Sequence, residues 1–242
     1  MKRISLQSST KELSSYRATS LSRGFTLLEL LIVITIISVL SVILIVALNP
    51  AETLRKARDT QRMSDMASVK TAIGIYVTTK TTPQLDGISG TVNDLCQATT
   101  GTWASGDKIW YSVSSISDTL VDGSTAAPVV TTAADLGNVD GTGWVKVNLG
   151  SITGGSPISN LPIDPINDIG FGGSDTATVT YEALVYRYAC AADNVTFELN
   201  ARLESVAFLT DDDRDGKDGG NDANYYEVGT ALNIMGSGSD AH

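Results

Sequence analysis

The stretch that decides the fold is Phe25-Thr26-Leu27-Leu28-Glu29-Leu30-Leu31-Ile32-Val33-Ile34-Thr35-Ile36-Ile37-Ser38-Val39-Leu40-Ser41-Val42-Ile43-Leu44-Ile45-Val46-Ala47-Leu48. Its 24 residues carry one charge, Glu29. At ~1.5 Å per residue a helix of this length reaches roughly 36 Å, enough to cross a ~30 Å hydrocarbon layer with some tilt. Lipid offers the backbone no hydrogen bonds, so helix is the only workable conformation for a lone span. A carboxylate in such a span needs a partner, because it costs ~2.5–3.5 kcal/mol near the bilayer centre and less near the end.

Outward on the N-terminal side, residues 1–24 hold five basic side chains (Lys2, Arg3, Lys11, Arg17, Arg23) against one acid, Glu12. That bias keeps the N-terminus cytoplasmic. The Ser/Thr/Arg content of this segment reads as a disordered leader. An ordinary secretory signal does not fit: the apolar run is too long, and its exit, Val46-Ala47-Leu48-Asn49-Pro50, offers no A-x-A-like site. No cysteine stands there to receive a lipid. A plain uncleaved anchor is the bland alternative.

Outward on the C-terminal side, Pro50 removes a backbone donor and disfavours helix at Asn49, predicting a break. Ala51–Arg58 is strongly helix-forming. Met63, Met66, Val69, Ile73 and Tyr76 then recur at helical spacing, one apolar stripe suited to covering a domain. The reading is one stalk from Phe25 to about Val77, interrupted near Pro50.

The string Ser22-Arg23-Gly24-Phe25-Thr26-Leu27-Leu28-Glu29 resembles the type IV prepilin motif. In that family a dedicated peptidase cuts after a glycine, phenylalanine becomes the new N-terminus, and a glutamate stands five residues in. Gly24, Phe25 and Glu29 occupy those positions. The resemblance implies cleavage between Gly24 and Phe25, N-methylation of Phe25, and assembly through Glu29, which neutralises the amine of an adjacent subunit. It also implies the partners: a prepilin peptidase, an inner-membrane assembly platform, membrane lipid, and a polymer of this chain with copies of itself and other pilins. Phe25 and Glu29, four apart, lie on one helix face.

Beyond the stalk the chain is acidic. From Thr81 onward 6 basic residues face 22 acidic ones, a net of −16. Such a domain repels phosphates, so it is not expected to bind nucleic acid. Short β-like pieces occur at Lys108–Val113 and Gly143–Val147. Val195 to Glu204 alternates apolar and polar throughout, a strand with one face on the core and one in water. Glu182 to Cys190 reads as its partner across the turn Ala192-Asp193-Asn194, and Asn224 to Thr230 as a last strand. The fold class expected is α+β: a long N-terminal helix packed on a small antiparallel sheet, as in pilins. The divisions are a leader over 1–24, a transmembrane and filament-core helix over 25–48, the amphipathic half of the stalk over 49–80, and a β-rich domain over 81–242. Residues from Gly236 onward read as a frayed tail.

Two further features bear on function. Cys96 and Cys190 are the only cysteines; in an oxidising compartment they form one disulfide, the alternative being two buried thiols packed as small hydrophobes. Asp211 to Asp222 nearly fits the twelve-residue calcium template, with Asp211, Asp213 and Asp215 at positions 1, 3 and 5 and Gly216 at the sharp turn. Asp222 replaces the usual glutamate, and no convincing helix flanks the loop. The candidate Ca2+ ligands are Asp211, Asp213, Asp215, Asp218 and Asp222; the alternative is a solvated acidic loop. Leu161-Pro162-Ile163-Asp164-Pro165 resembles the Pro-x-Asp-Pro segment of major pseudopilins, which also carry a calcium site near their C-terminal end.

The only histidine is His242, the last residue given, and no phosphate-binding glycine loop appears, so no enzymatic activity is expected. The leading expectation is a structural subunit of a type IV pilus-like filament, held in the inner membrane and later displayed outside the cell. A pseudopilin of a type II secretion system, in a short periplasmic filament, is the alternative. A monomeric membrane-anchored calcium-binding or adhesive surface protein is the reading of another class.

Overall fold

The computed structural model describes residues 24–87, 93–103, 107–114, 127–169 and 182–236. The leader before Gly24 and the tail from residue 237 lie outside the described residues. The chain divides into two units, Met1–Leu48 and Asn49–His242.

The first unit holds α1 (Leu27–Leu48), and none of its residues is buried. Its three central hydroxyls are turned inward on the helix itself. Thr35 Oγ1 donates to the Ile32 carbonyl at 2.8 Å, and Ser38 and Ser41 Oγ donate to the carbonyls of Ile34 and Ile37 at 2.7 Å each. These back-bonds satisfy the donors within the segment, as an apolar surrounding requires. The helix is long and apolar enough to cross a membrane.

The second unit opens with α2 (Pro50–Thr79), after the single non-helical residue Asn49 at φ 39° and ψ 71°. The break has a plain cause. Proline excludes the ordinary helical conformation from the residue before it, asparagine tolerates the left-handed region, and Pro50 itself suits the first helical position. The buried stripe of α2 is Asp59, Arg62, Met66, Val69, Ala72, Ile73 and Tyr76. Met63, expected on it, is only half-buried; Arg62 takes the inward position because three acids wait for it there.

Among the described residues five strands follow in the order β2-β1-β3-β4-β5: β1 (Lys108–Tyr111), β2 (Ala127–Val130), β3 (Arg187–Ala191), β4 (Thr196–Ala201) and β5 (Tyr226–Gly229). Four of them, β1-β3-β4-β5, pair antiparallel as expected. The fifth, β2, adds a parallel edge beside β1, which a tight hairpin cannot make. The Gly143–Val147 piece is not a strand, yet Trp144, Val145 and Val147 are buried as core.

One face of the sheet, with Trp110, Tyr186, Tyr188, Cys190, Phe197, Leu199 and Val228, shares a cluster with the α2 stripe. Each fully buried Met, Val or Ile of that stripe is worth about 1.5–3 kcal/mol. The opposite face is not in water. Ile109, Tyr111, Ala189 and Ala191 form a second cluster with Ile234 and Met235. Strand β4 is therefore covered on both faces, which corrects the half-exposed reading of its alternation. Its polar residues Glu198 and Asn200 are both buried, and Glu198 Oε2 accepts from the Ile234 and Met235 N–H groups of the returning C-terminal segment at 2.7 and 2.9 Å. Gly229 permits this return, since a Cβ there would collide with the Phe197 carbonyl.

Candidate processing and assembly site

Gly24, Phe25 and Thr26 precede α1 without helical structure, and Phe25 is 77 % exposed. Thr26 is the N-cap. Its carbonyl accepts from Leu30 N–H at 3.1 Å, closing the first turn, and its Oγ1 accepts from Glu29 N–H at 3.1 Å. Thr26-Leu27-Leu28-Glu29 thus has the T-x-x-E spacing of a capping box, with Glu29 as the third helical residue, where the positive end of the helix dipole favours an acid. The cap was legible in that spacing and was missed.

Gly24 is not required by its own surroundings. A Cβ there would meet no atom of the described residues within 4 Å. Glu29 likewise finds no cation among the described residues. The motif, the cap, the exposed Gly24–Phe25 bond and the bare apolar helix thus lie side by side in this segment.

The remaining candidate residues lie in the second unit. Cys96 and Cys190 are joined by a disulfide and buried. Beside it Gln97 N–H donates to the Cys190 carbonyl at 2.9 Å and Ala192 N–H to the Gln97 carbonyl at 2.7 Å, so this strip is fastened along the end of β3.

The five aspartates are scattered by comparison. Asp211 ends a π-helical turn, Ala207–Asp211, and is exposed. Asp213 pairs with Lys217 at 3.4 Å. Asp215 is buried, and burial raises its carboxyl. Asp218 accepts from Gly220 and Glu227 N–H at 2.7 and 2.6 Å, while Asp222 Oδ1 accepts from Asn224 N–H at 2.9 Å. Among the described residues no three acids, histidines or cysteines are grouped to hold a metal. Asp222 Oδ2 is buried without a partner among the described residues, and the Glu227 carboxyl lies in hydrogen-bond contact with that of Glu198. Glu227 comes from β5 and was not in the expected set. Burial, and then the neighbouring Glu198, push its carboxyl up to about 9.

A second cluster escaped the sequence. Arg62, fully buried, donates Nε and Nη2 to Asp164 at 2.6 and 2.9 Å and Nη1 to Glu204 at 2.6 Å and Asp59 at 2.8 Å. Arg58 adds two bonds to Glu204 at 2.8 and 3.0 Å. Asp59 also accepts from the Glu204 and Ser205 N–H groups. Asp164 Oδ1 caps Ile166 and Asn167 N–H, so the Pro162–Pro165 turn presents its acid ready-made. Burial alone would lower the Arg62 guanidinium, but Asp164 and Glu204 more than offset it.

Comparison with known proteins agrees with the N-terminal geometry. The family model described as the prokaryotic N-terminal methylation motif matches residues 19–45. That motif is the type IV pilin and pseudopilin signature, and the chain carries it. No curated protein and no solved structure matches the chain.

Proposed function

We propose that the chain is a structural subunit of a type IV pilus-like filament. A prepilin peptidase cuts after Gly24, Phe25 becomes the methylated N-terminus, and α1 leaves the membrane to pack against other copies. The observation that carries this reading is a helix exposed on every side, directly behind the motif, with one acid that lacks a cation among the described residues. Lipid and a bundle of like helices are both apolar, so one surface suits both surroundings. An amine made by cleavage would offset the Glu29 charge. No chemical reaction of its own is assigned to the protein.

The type II secretion pseudopilin is kept as a second reading because Asp164 of Leu161–Pro165 is a structural anchor in this chain and not a surface residue. Calcium belongs to the same reading. Carboxylate oxygens such as the buried Asp222 Oδ2 are hard ligands suited to Ca2+, which would supply charge neutralisation in this acidic loop.

The test is the mature terminus. Mass spectrometry of filaments sheared from cells should find a chain beginning with methylated Phe25. Gly24→Val should leave uncut precursor in the membrane. A mature chain still carrying the basic leader would overturn the proposal.

A further inference from the structure

We propose that Thr26 is a positioning residue for the cleavage: its side-chain cap fixes where α1 starts and so holds the Gly24–Phe25 bond outside the helix. The inference rests on the processing proposed above.

A peptidase must take the scissile bond as open backbone, and cleavage of a segment follows the population of its open form. A helical bond is closed, because its N–H and C=O are engaged and its dihedrals are fixed. In this chain the boundary falls between Thr26 and Leu27, two residues past the scissile bond. Two bonds hold it there, Leu30 N–H to the Thr26 carbonyl and Glu29 N–H to Thr26 Oγ1, both 3.1 Å.

The cap matters because the sequence contains a competitor. Ser22 stands four residues upstream and is the next strong capping residue type. If it capped instead, Arg23, Gly24 and Phe25 would become the first three helical residues, with the scissile bond in the first turn. Gly24 resists that register through its poor helix propensity. Thr26 resists it by satisfying an N–H group that otherwise needs a new partner. Threonine therefore has a task distinct from that of glycine: the glycine admits the enzyme and the threonine presents the bond.

The experiment uses the full-length chain in membranes with a prepilin peptidase, following rates over a range of substrate concentration. Thr26→Val keeps size and branching but has no acceptor. It should raise KM about three- to tenfold, the typical worth of a cap, with kcat unchanged, because only the competent fraction falls. Thr26→Ser should cleave as the unaltered chain does. Thr26→Val with Ser22→Ala should regain most of the loss, because the competing cap is gone. A threonine acting by direct contact with the enzyme would not be rescued by a change at Ser22. Equal cleavage of Thr26→Val and the unaltered chain, or a defect that Ser22→Ala leaves untouched, overturns the inference alone. An unaltered chain that is not cut after Gly24 overturns the processing assignment as well.

Discussion

Arg62→Met removes the one guanidinium that, among the described residues, reaches Asp59, Asp164 and Glu204 together. The methionine fills similar space but leaves Asp59 and Asp164, both fully or almost fully buried, without their cation. Breaking a buried pair by deleting one partner costs about 3–5 kcal/mol, since the stranded charge keeps its desolvation penalty. For a domain of this size each kcal/mol moves Tm by ~2–4 °C, so the variant should melt about 6–20 °C lower. Arg62→Lys keeps the charge but cannot make the parallel two-bond fork to Asp164; it should lose about 1.5–3 kcal/mol. The assay is thermal and urea unfolding of the full chain in detergent micelles, read from the buried Trp110 and Trp144. Acidity gives an internal control. Burial alone would raise the Glu204 carboxyl, but bonds from Arg58 and Arg62 outweigh it and hold it below the usual carboxylate range. A lowered carboxylate stabilises the fold above its unfolded value, near pH 4.5, and that stability is lost as pH falls through the folded value. The gap between Arg62→Met and the unaltered chain should therefore narrow from pH 7 to pH 4. A Tm loss under 2 °C at pH 7, or a gap that widens in acid, would refute the reasoning.

Three further outcomes follow from the same geometry. Glu29→Gln should still insert and be cut, but should abolish or sharply reduce filaments counted by electron microscopy; normal filament yield would remove its assembly role. Reducing the Cys96–Cys190 bond, which closes a separation of 94 residues, should cost up to about 4–5 kcal/mol by loop entropy. A Tm unchanged by reductant, with thiol titration showing both cysteines free, would contradict that. Calcium should raise Tm and a chelator lower it, with Asp222→Asn and Glu227→Gln each erasing the response; no response to either addition removes the metal proposal, and a response that survives both substitutions places it elsewhere.

What the sequence disclosed depended on how local the physics was. The span, the break at Asn49-Pro50, the β3–β4 hairpin and the last strand follow from runs, proline and alternation within a few residues, and each is present. Alternation misled at β4 because it reports chemical type and not cover: Glu198 is as polar as a solvent-facing residue but sits under Ile234 and Met235, 36 and 37 residues on. The stripe on α2 was misplaced at Met63 for a related reason. Arg62 is inward only because Asp164 and Glu204 arrive from 102 and 142 residues away. The calcium template failed to predict the arrangement at its own first half, since Asp211 was drawn into a helical turn and Asp213 to Lys217. Counting named Cys96 and Cys190 as the candidate pair but left two buried thiols open; the structure joins them.

The acids of this chain separate its two units by how their charge is met. In the second unit Asp59, Asp164 and Glu204 are shut away from water, and the chain itself provides Arg62 and Arg58 as counter-charge. In the first unit Glu29 stands on a helix with no buried residue, and no described residue reaches it with a cation. An acid that the fold neutralises internally contributes to stability and needs no partner. An acid left open on an apolar surface is costly in lipid, and the cost disappears only when a cation comes from another molecule or from a terminus not yet made. On the processing proposed above, cleavage after Gly24 would create such a terminus four residues from Glu29 in every copy. The cut that would free α1 from its basic leader would then also supply the charge that lets one α1 lie against the next, and uncut chains should be unable to assemble.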